Sequence, residues 1–124
     1  MVVVLNLVGA LAIATSSYLH FRLWDGFGYR NIPTVGKLFI VQVVVGAALA
    51  LAVVVLRRVG CALAGAGFAA ATAAGFLISV THGLFGFRDT WAAPFASVAF
   101  VLEVVGVVTL CLVVVLSTRG TAAR

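Results

Sequence analysis

Residues 34–60 read TVGKLFIVQVVVGAALALAVVVLRRVG. Between Lys37 and Arg57 stand 19 residues whose only polar member is Gln42. A run of this kind cannot form a half-buried strand, because it lacks the polar alternation at every second residue that a wet sheet face needs. It is long enough for a helix that crosses the ~30 Å hydrocarbon layer, which takes about 20 residues. The run ends on Arg57-Arg58, and a second apolar run starts at once at Val59. Two spanning helices joined by so short a link must be antiparallel neighbours. The stretch therefore predicts a transmembrane hairpin.

Two further apolar runs flank it. The spans predicted from the sequence are 2–20, 34–56, 59–82 and 94–117, giving an all-α, integral membrane four-helix bundle in one domain over 1–124. Apolar residues make up 65% of the chain and charged residues 9%, with a mean hydropathy of +1.29. A soluble domain carries roughly 25% charged residues, so this composition leaves too few to coat a water-facing surface. Only helices or closed barrels satisfy every backbone group in lipid, and continuous Val/Leu/Ala runs exclude the barrel. Residues 2–20 lack a basic leader and a good cleavage site, and are read as a mature helix rather than a signal peptide.

The net charge of +5 resides at helix ends and in loops, so it points to a lipid bilayer and not to nucleic acid. Lys/Arg residues divide evenly between the two faces: Arg57, Arg58, Arg119 and Arg124 against Arg22, Arg30, Lys37 and Arg88. The first face carries no acidic residue. On that ground both termini are expected in the cytoplasm, with the chain multi-pass in the cell inner (plasma) membrane.

Outward from the hairpin, one phrase occurs twice: FGYRNIP at 27–33 and FGFRDTWAAP at 85–94. Six residues after Pro33 and Pro94 stand Phe39 and Phe100, and nine residues after them stand Gln42 and Glu103. Upstream, Ser17-x-x-His20 precedes the first proline and Ser79-x-x-His82 the second. This spacing predicts two tandem two-helix hairpin repeats related by a pseudo-two-fold along the membrane normal. Both prolines suit the first turn of a helix.

GYRNIPTVGKLFIVQ at 28–42, and more loosely GLFGFRDTW at 83–91, resembles segments of uncharacterised small four-helix integral membrane proteins of actinobacteria. Their pattern runs Tyr-Arg-x-Ile-Pro-Thr-Ile/Val-Gly-x-Leu-Phe-x-x-Gln. The resemblance implies a four-helix fold and no activity.

Few residues could carry chemistry. Glu103 is the one carboxyl group within an apolar run, and Gln42 is read as its amide counterpart, the two forming an intramembrane polar pair across the pseudo-axis. A carboxyl group inside a bilayer is costly and must face other helices, as a proton relay or as packing glue. His20 and His82 end the first and third spans at one membrane level. That placement suits interfacial caps, or less readily a bis-histidine haem b or a metal. Asp25, Arg30, Asn31, Arg88 and Asp89 form a loop polar cluster within an aromatic belt. Gly67, Ala71 and Gly75 make a small-residue stripe suited to helix packing, within the bundle or against another subunit. Cys61 and Cys111 have no metal spacing and read as packing residues.

No catalytic constellation is present, so an enzyme is not expected. The leading functional expectation is an accessory or assembly subunit of a membrane complex, with other membrane subunits or a homo-oligomer as partners. A small proton-coupled or ion-coupled transporter using Glu103 follows. A haem-binding electron-transfer subunit using His20 and His82 comes third.

Overall fold

A computed structural model describes residues 1–124. The chain forms α1 (Val2–Gly26), a single 3₁₀ turn (Tyr29–Asn31), α2 (Val35–Leu56), α3 (Val59–Thr81) and α4 (Ala96–Ala122). All four α-helices are long and apolar enough to cross a membrane. They pack as an antiparallel ring in chain order.

Helix ends differ from the hydropathy reading in three places. α1 runs on past His20 to Gly26, because HFRLWDG holds no breaker until Gly28, which takes φ 83°. Polarity ends an apolar run, but it does not end a hydrogen-bonded backbone. α4 continues in the same way beyond Ser117 to Ala122. The prolines sit outside the helices rather than in their first turns. In both halves the residue after proline is the N-cap, and both take positive φ: Thr34 at 64° and Phe95 at 61°. The chain turns sharply there, and the helix starts one residue later.

The core is built from small residues on α3 and branched residues opposite. Ile13, Val53 and Leu110 meet Ala62, Ala66 and Ala69, and Leu110 has no exposed surface. Glycines set the separations. A Cβ on Gly65 would lie 2.8 Å from Leu110, and one on Gly9 would lie 2.6 Å from the same side chain. Gly46 of α2 faces the Ser17 hydroxyl of α1, with no room between them for a methyl group.

α3 therefore packs through Ala62, Gly65, Ala66, Ala69 and Ala73. The predicted stripe Gly67/Ala71/Gly75 lies on another face. Gly67 and Ala71 are exposed, and a Cβ on Gly67 or Gly75 would meet nothing within 4 Å. The two sets are offset by a fraction of a turn, and the larger partners on α1 and α4 selected the more alanine-rich one. The ring is also uneven. The α1–α4 seam is closely packed, whereas the α2–α3 seam is looser and leaves a cleft of about 270 Å³.

Candidate functional site: a buried acid and imidazole beside a cleft

Glu103 stands seven residues after the first residue of α4, about 10 Å from the loop end at 1.5 Å per residue. That is shallower than mid-bilayer. It faces inward and is 3% exposed. Its partner is not Gln42. The Ser16 hydroxyl on α1 donates to Glu103 Oε1 at 3.1 Å. His20, one turn along the same helix, places Nε2 3.9 Å from that oxygen. Residues i and i+4 share a helix face, so Ser16 and His20 grip one carboxyl group from adjacent turns.

The His20 ring is oriented by its other nitrogen, which lies 2.8 Å from the Ser16 carbonyl. A carbonyl only accepts, so Nδ1 carries the hydrogen and Nε2 is left facing Glu103. Phe39 of α2 packs against the ring, with centroids 4.9 Å apart. The separation of 3.9 Å is too long for a hydrogen bond.

His20 is thus neither an interfacial cap nor a partner of His82. α1 continues beyond it, and its side chain is only 12% exposed. His82 follows α3, is exposed, and has Nδ1 2.9 Å from the Thr81 hydroxyl. The two histidines have separate surroundings.

The predicted loop cluster also divides. Asp25 and Arg30 form an exposed pair at 3.8 Å. Arg88 donates to the Val80 and Thr81 carbonyls, at 3.4 and 2.9 Å, and so satisfies the open end of α3. Asn31 is exposed. Asp89 alone turns inward. Its backbone N–H donates to the Ser79 hydroxyl at 3.0 Å, and Tyr29 donates its hydroxyl to Asp89 Oδ1 at 3.3 Å.

Tyr29 is buried, not part of a lipid-facing belt. It stacks on Phe39 at 4.8 Å and meets Phe87 edge-on at 5.7 Å. Burial first, then the Asp89 charge and hydrogen bond, push its hydroxyl up to about 12. Phe27, Phe85 and Trp91 remain exposed at the membrane boundary.

Two cavities meet at this group. A small one, about 30 Å³, lies between Glu103 and His20 on one side and Tyr29, Asp89 and Pro94 on the other. It has room for a water. The larger cleft between α2 and α3 also reaches His20 and Asp89, and holds Gln42 on its wall. His20 and Asp89 border both spaces.

Gln42 is buried at 8% exposure, and its Oε1 has no hydrogen-bond partner. The Ser17 hydroxyl is orphaned as well. Sequence reasoning passed over Ser16 and a second buried amide, Asn6, read Ser17 and Ser79 only as markers of the repeat, and gave Tyr29 no buried role. Hydroxyl groups within an apolar run cost little and bond to their own helix, so their composition carries no signal. The i, i+4 spacing of Ser16 and His20 was the one clue available.

No family model, curated protein or solved structure matches the chain.

Proposed function

We propose that this small integral membrane protein is proton-coupled, and that Glu103 and His20 are the groups that exchange the proton. One observation carries the reading. The only carboxyl group inside the bundle is held by a hydroxyl group and faces an imidazole at 3.9 Å. Packing glue needs hydrogen bonds alone, and two serines would supply them. A titratable acid beside a titratable base adds the capacity to pass a proton. The small cavity toward Tyr29 and Asp89 supports a loop-side entry. The Lys/Arg count is even, and the acid-free face with its Arg57-Arg58 pair favours termini in the cytoplasm of the plasma membrane, which turns that entry outward.

The test is proton movement into liposomes containing the purified protein and a trapped pH dye, driven by an imposed potential. Flux is expected above that of protein-free liposomes, lost in Glu103→Gln and reduced in His20→Phe. Equal flux in wild type and Glu103→Gln ends the proposal.

A second reading, an accessory or self-associating subunit, is favoured by the outward face of Gly67 and Ala71. Faces of small residues let helices of separate chains approach closely. Crosslinking in native membranes through Ala71→Cys, with Cys61 and Cys111 replaced by serine, would capture the neighbour. A strict monomer with no captured neighbour removes this reading.

A further inference from the structure

We propose that the α2–α3 cleft binds an organic cation, an ammonium group carried on a single apolar ring, with its charge against Asp89 and its ring among phenylalanines. This assignment stands apart from proton exchange at Glu103, because it requires only the cleft and the Asp89 carboxylate. Charge, lining and access each lead to it.

Asp89 is a half-buried acid without a cation. The only close ion pairs in the molecule are His20–Glu103 and Arg30–Asp25. Its neighbour Arg88 is turned to the carbonyl groups that end α3. Hydrogen bonds do not complete the carboxylate either. The Thr90 N–H, at 2.9 Å, and the Tyr29 hydroxyl, at 3.3 Å, both reach Oδ1. Oδ2 has only that same hydroxyl at 3.5 Å. A carboxylate drawn away from bulk water is costly until a positive charge joins it. Asp89 borders the cleft, so a cation held there supplies that charge.

Phe39, Phe68, Phe76 and Phe87 line the same space. The faces of aromatic rings are electron-rich and attract cations. Tyr29 fixes much of the arrangement. It stacks on Phe39 at 4.8 Å, meets Phe87 edge-on at 5.7 Å and donates to Asp89, so one residue sets two rings and the carboxylate together. Phe76 is held edge-on to Trp91, with centroids 4.8 Å apart, so that wall is set before a ligand arrives.

At about 270 Å³ the cleft lies just below the range of ligand sites, which is roughly 300–1,000 Å³. A single ring with a small ammonium group suits that scale. Exposed Leu38, Val41 and Ala71 form the outer rim on the helices' lipid-facing side, while Asp89 belongs to the loop between α3 and α4. A cation gathered at the membrane boundary can therefore enter at that level, and its charge need not cross the hydrocarbon core.

Benzyltrimethylammonium and neopentylbenzene share one shape and differ in a single atom, a charged nitrogen in place of carbon. The full chain in lipid nanodiscs is titrated with each, and the rise in unfolding temperature gives an affinity. Each compound is compared with itself across variants, so its partition into lipid cancels. Asp89→Asn, which keeps an acceptor for Tyr29, should weaken the cation about tenfold, the scale of one partly screened charge contact, and leave neopentylbenzene unchanged. Gly75→Leu, which fills the cleft from a position where a Cβ meets nothing within 4 Å, should bind neither. Cation binding that Asp89→Asn does not weaken, or weakens no more than that of neopentylbenzene, would overturn charge recognition. A temperature rise that survives Gly75→Leu would place binding elsewhere and overturn the site. No rise with either compound would leave the cleft to lipid and end the proposal. If Asp89→Asn does not fold by circular dichroism, Asp89→Ser takes its place: a loss confined to the cation supports the site, and an equal response of the two compounds overturns it.

Discussion

Ser16 contributes twice to the buried group: its hydroxyl holds Glu103, and its carbonyl orients His20. Only the first role depends on the side chain. Ser16→Ala should therefore leave the ring in place while stripping the carboxyl group of its one hydrogen-bond donor. The expected loss is roughly 1–3 kcal/mol, read as a lower unfolding temperature in detergent. Ser16→Thr, which keeps the hydroxyl, should recover most of it.

Tyr29 gives a pH signature. Its hydroxyl titrates near 12 in the folded chain against 10.0 ordinarily, so folding favours the neutral form. The associated stability is full below pH 10, and it is lost as pH rises through 12. Wild type should exceed Tyr29→Phe in stability at pH 8, and the margin should vanish by about pH 12. A margin that is constant over that range would show that neither burial nor Asp89 raises the hydroxyl's pKa.

Among the elements, the start of α2 depends on a glycine for a reason of backbone packing. A Cβ on Gly36 would lie 2.7 Å from the Arg30 carbonyl and 2.8 Å from that of Tyr29. Backbone atoms cannot rotate aside, so Gly36→Ala must displace the 3₁₀ turn that carries Tyr29. Overpacking of this kind costs about 1–3 kcal/mol, and it should also weaken the Tyr29–Asp89 contact. Gly67→Ala is the control. Its Cβ meets nothing, and alanine favours the helix by about 1 kcal/mol. Thermal unfolding of the two variants should therefore move in opposite directions. If Gly67→Ala instead lowers assembly in membranes, the outward stripe is an interface.

The ring has three closely packed seams and one open one, between α2 and α3. The pseudo-two-fold expected from the sequence would relate the α1–α4 seam to the α2–α3 seam. One of them buries Glu103 between serine and histidine, while the other leaves Gln42 beside a cleft. Lipid-phase maleimide labelling separates them, with both native cysteines replaced by serine. Ala71→Cys on the cleft rim should react, whereas Ala69→Cys, at a position 2% exposed, should be protected. Equal labelling would mean that the cleft is closed in the bilayer.

What the sequence by itself determined was the count of helices, their apolar character and the hairpin at Arg57-Arg58. These follow from run length and from the cost of unpaired backbone in lipid, both local properties. It also singled out Glu103 and His20, since a titratable side chain in an apolar run is rare and expensive. Only the tertiary structure decided their partners. Gln42 and Glu103 match in spacing from their prolines, yet helix rotation turns one toward a cleft and the other toward Ser16. His20 looked terminal because the residues after it are polar, but hydrogen bonding carries α1 six residues further, to Gly26. Asp89 left its predicted cluster because Tyr29, 60 residues away, and Ser79, at the end of the preceding helix, offered it buried partners. Pairing across helices depends on azimuth and separation, which small residues such as Gly9, Gly46 and Gly65 set jointly, and no single run of sequence contains that information.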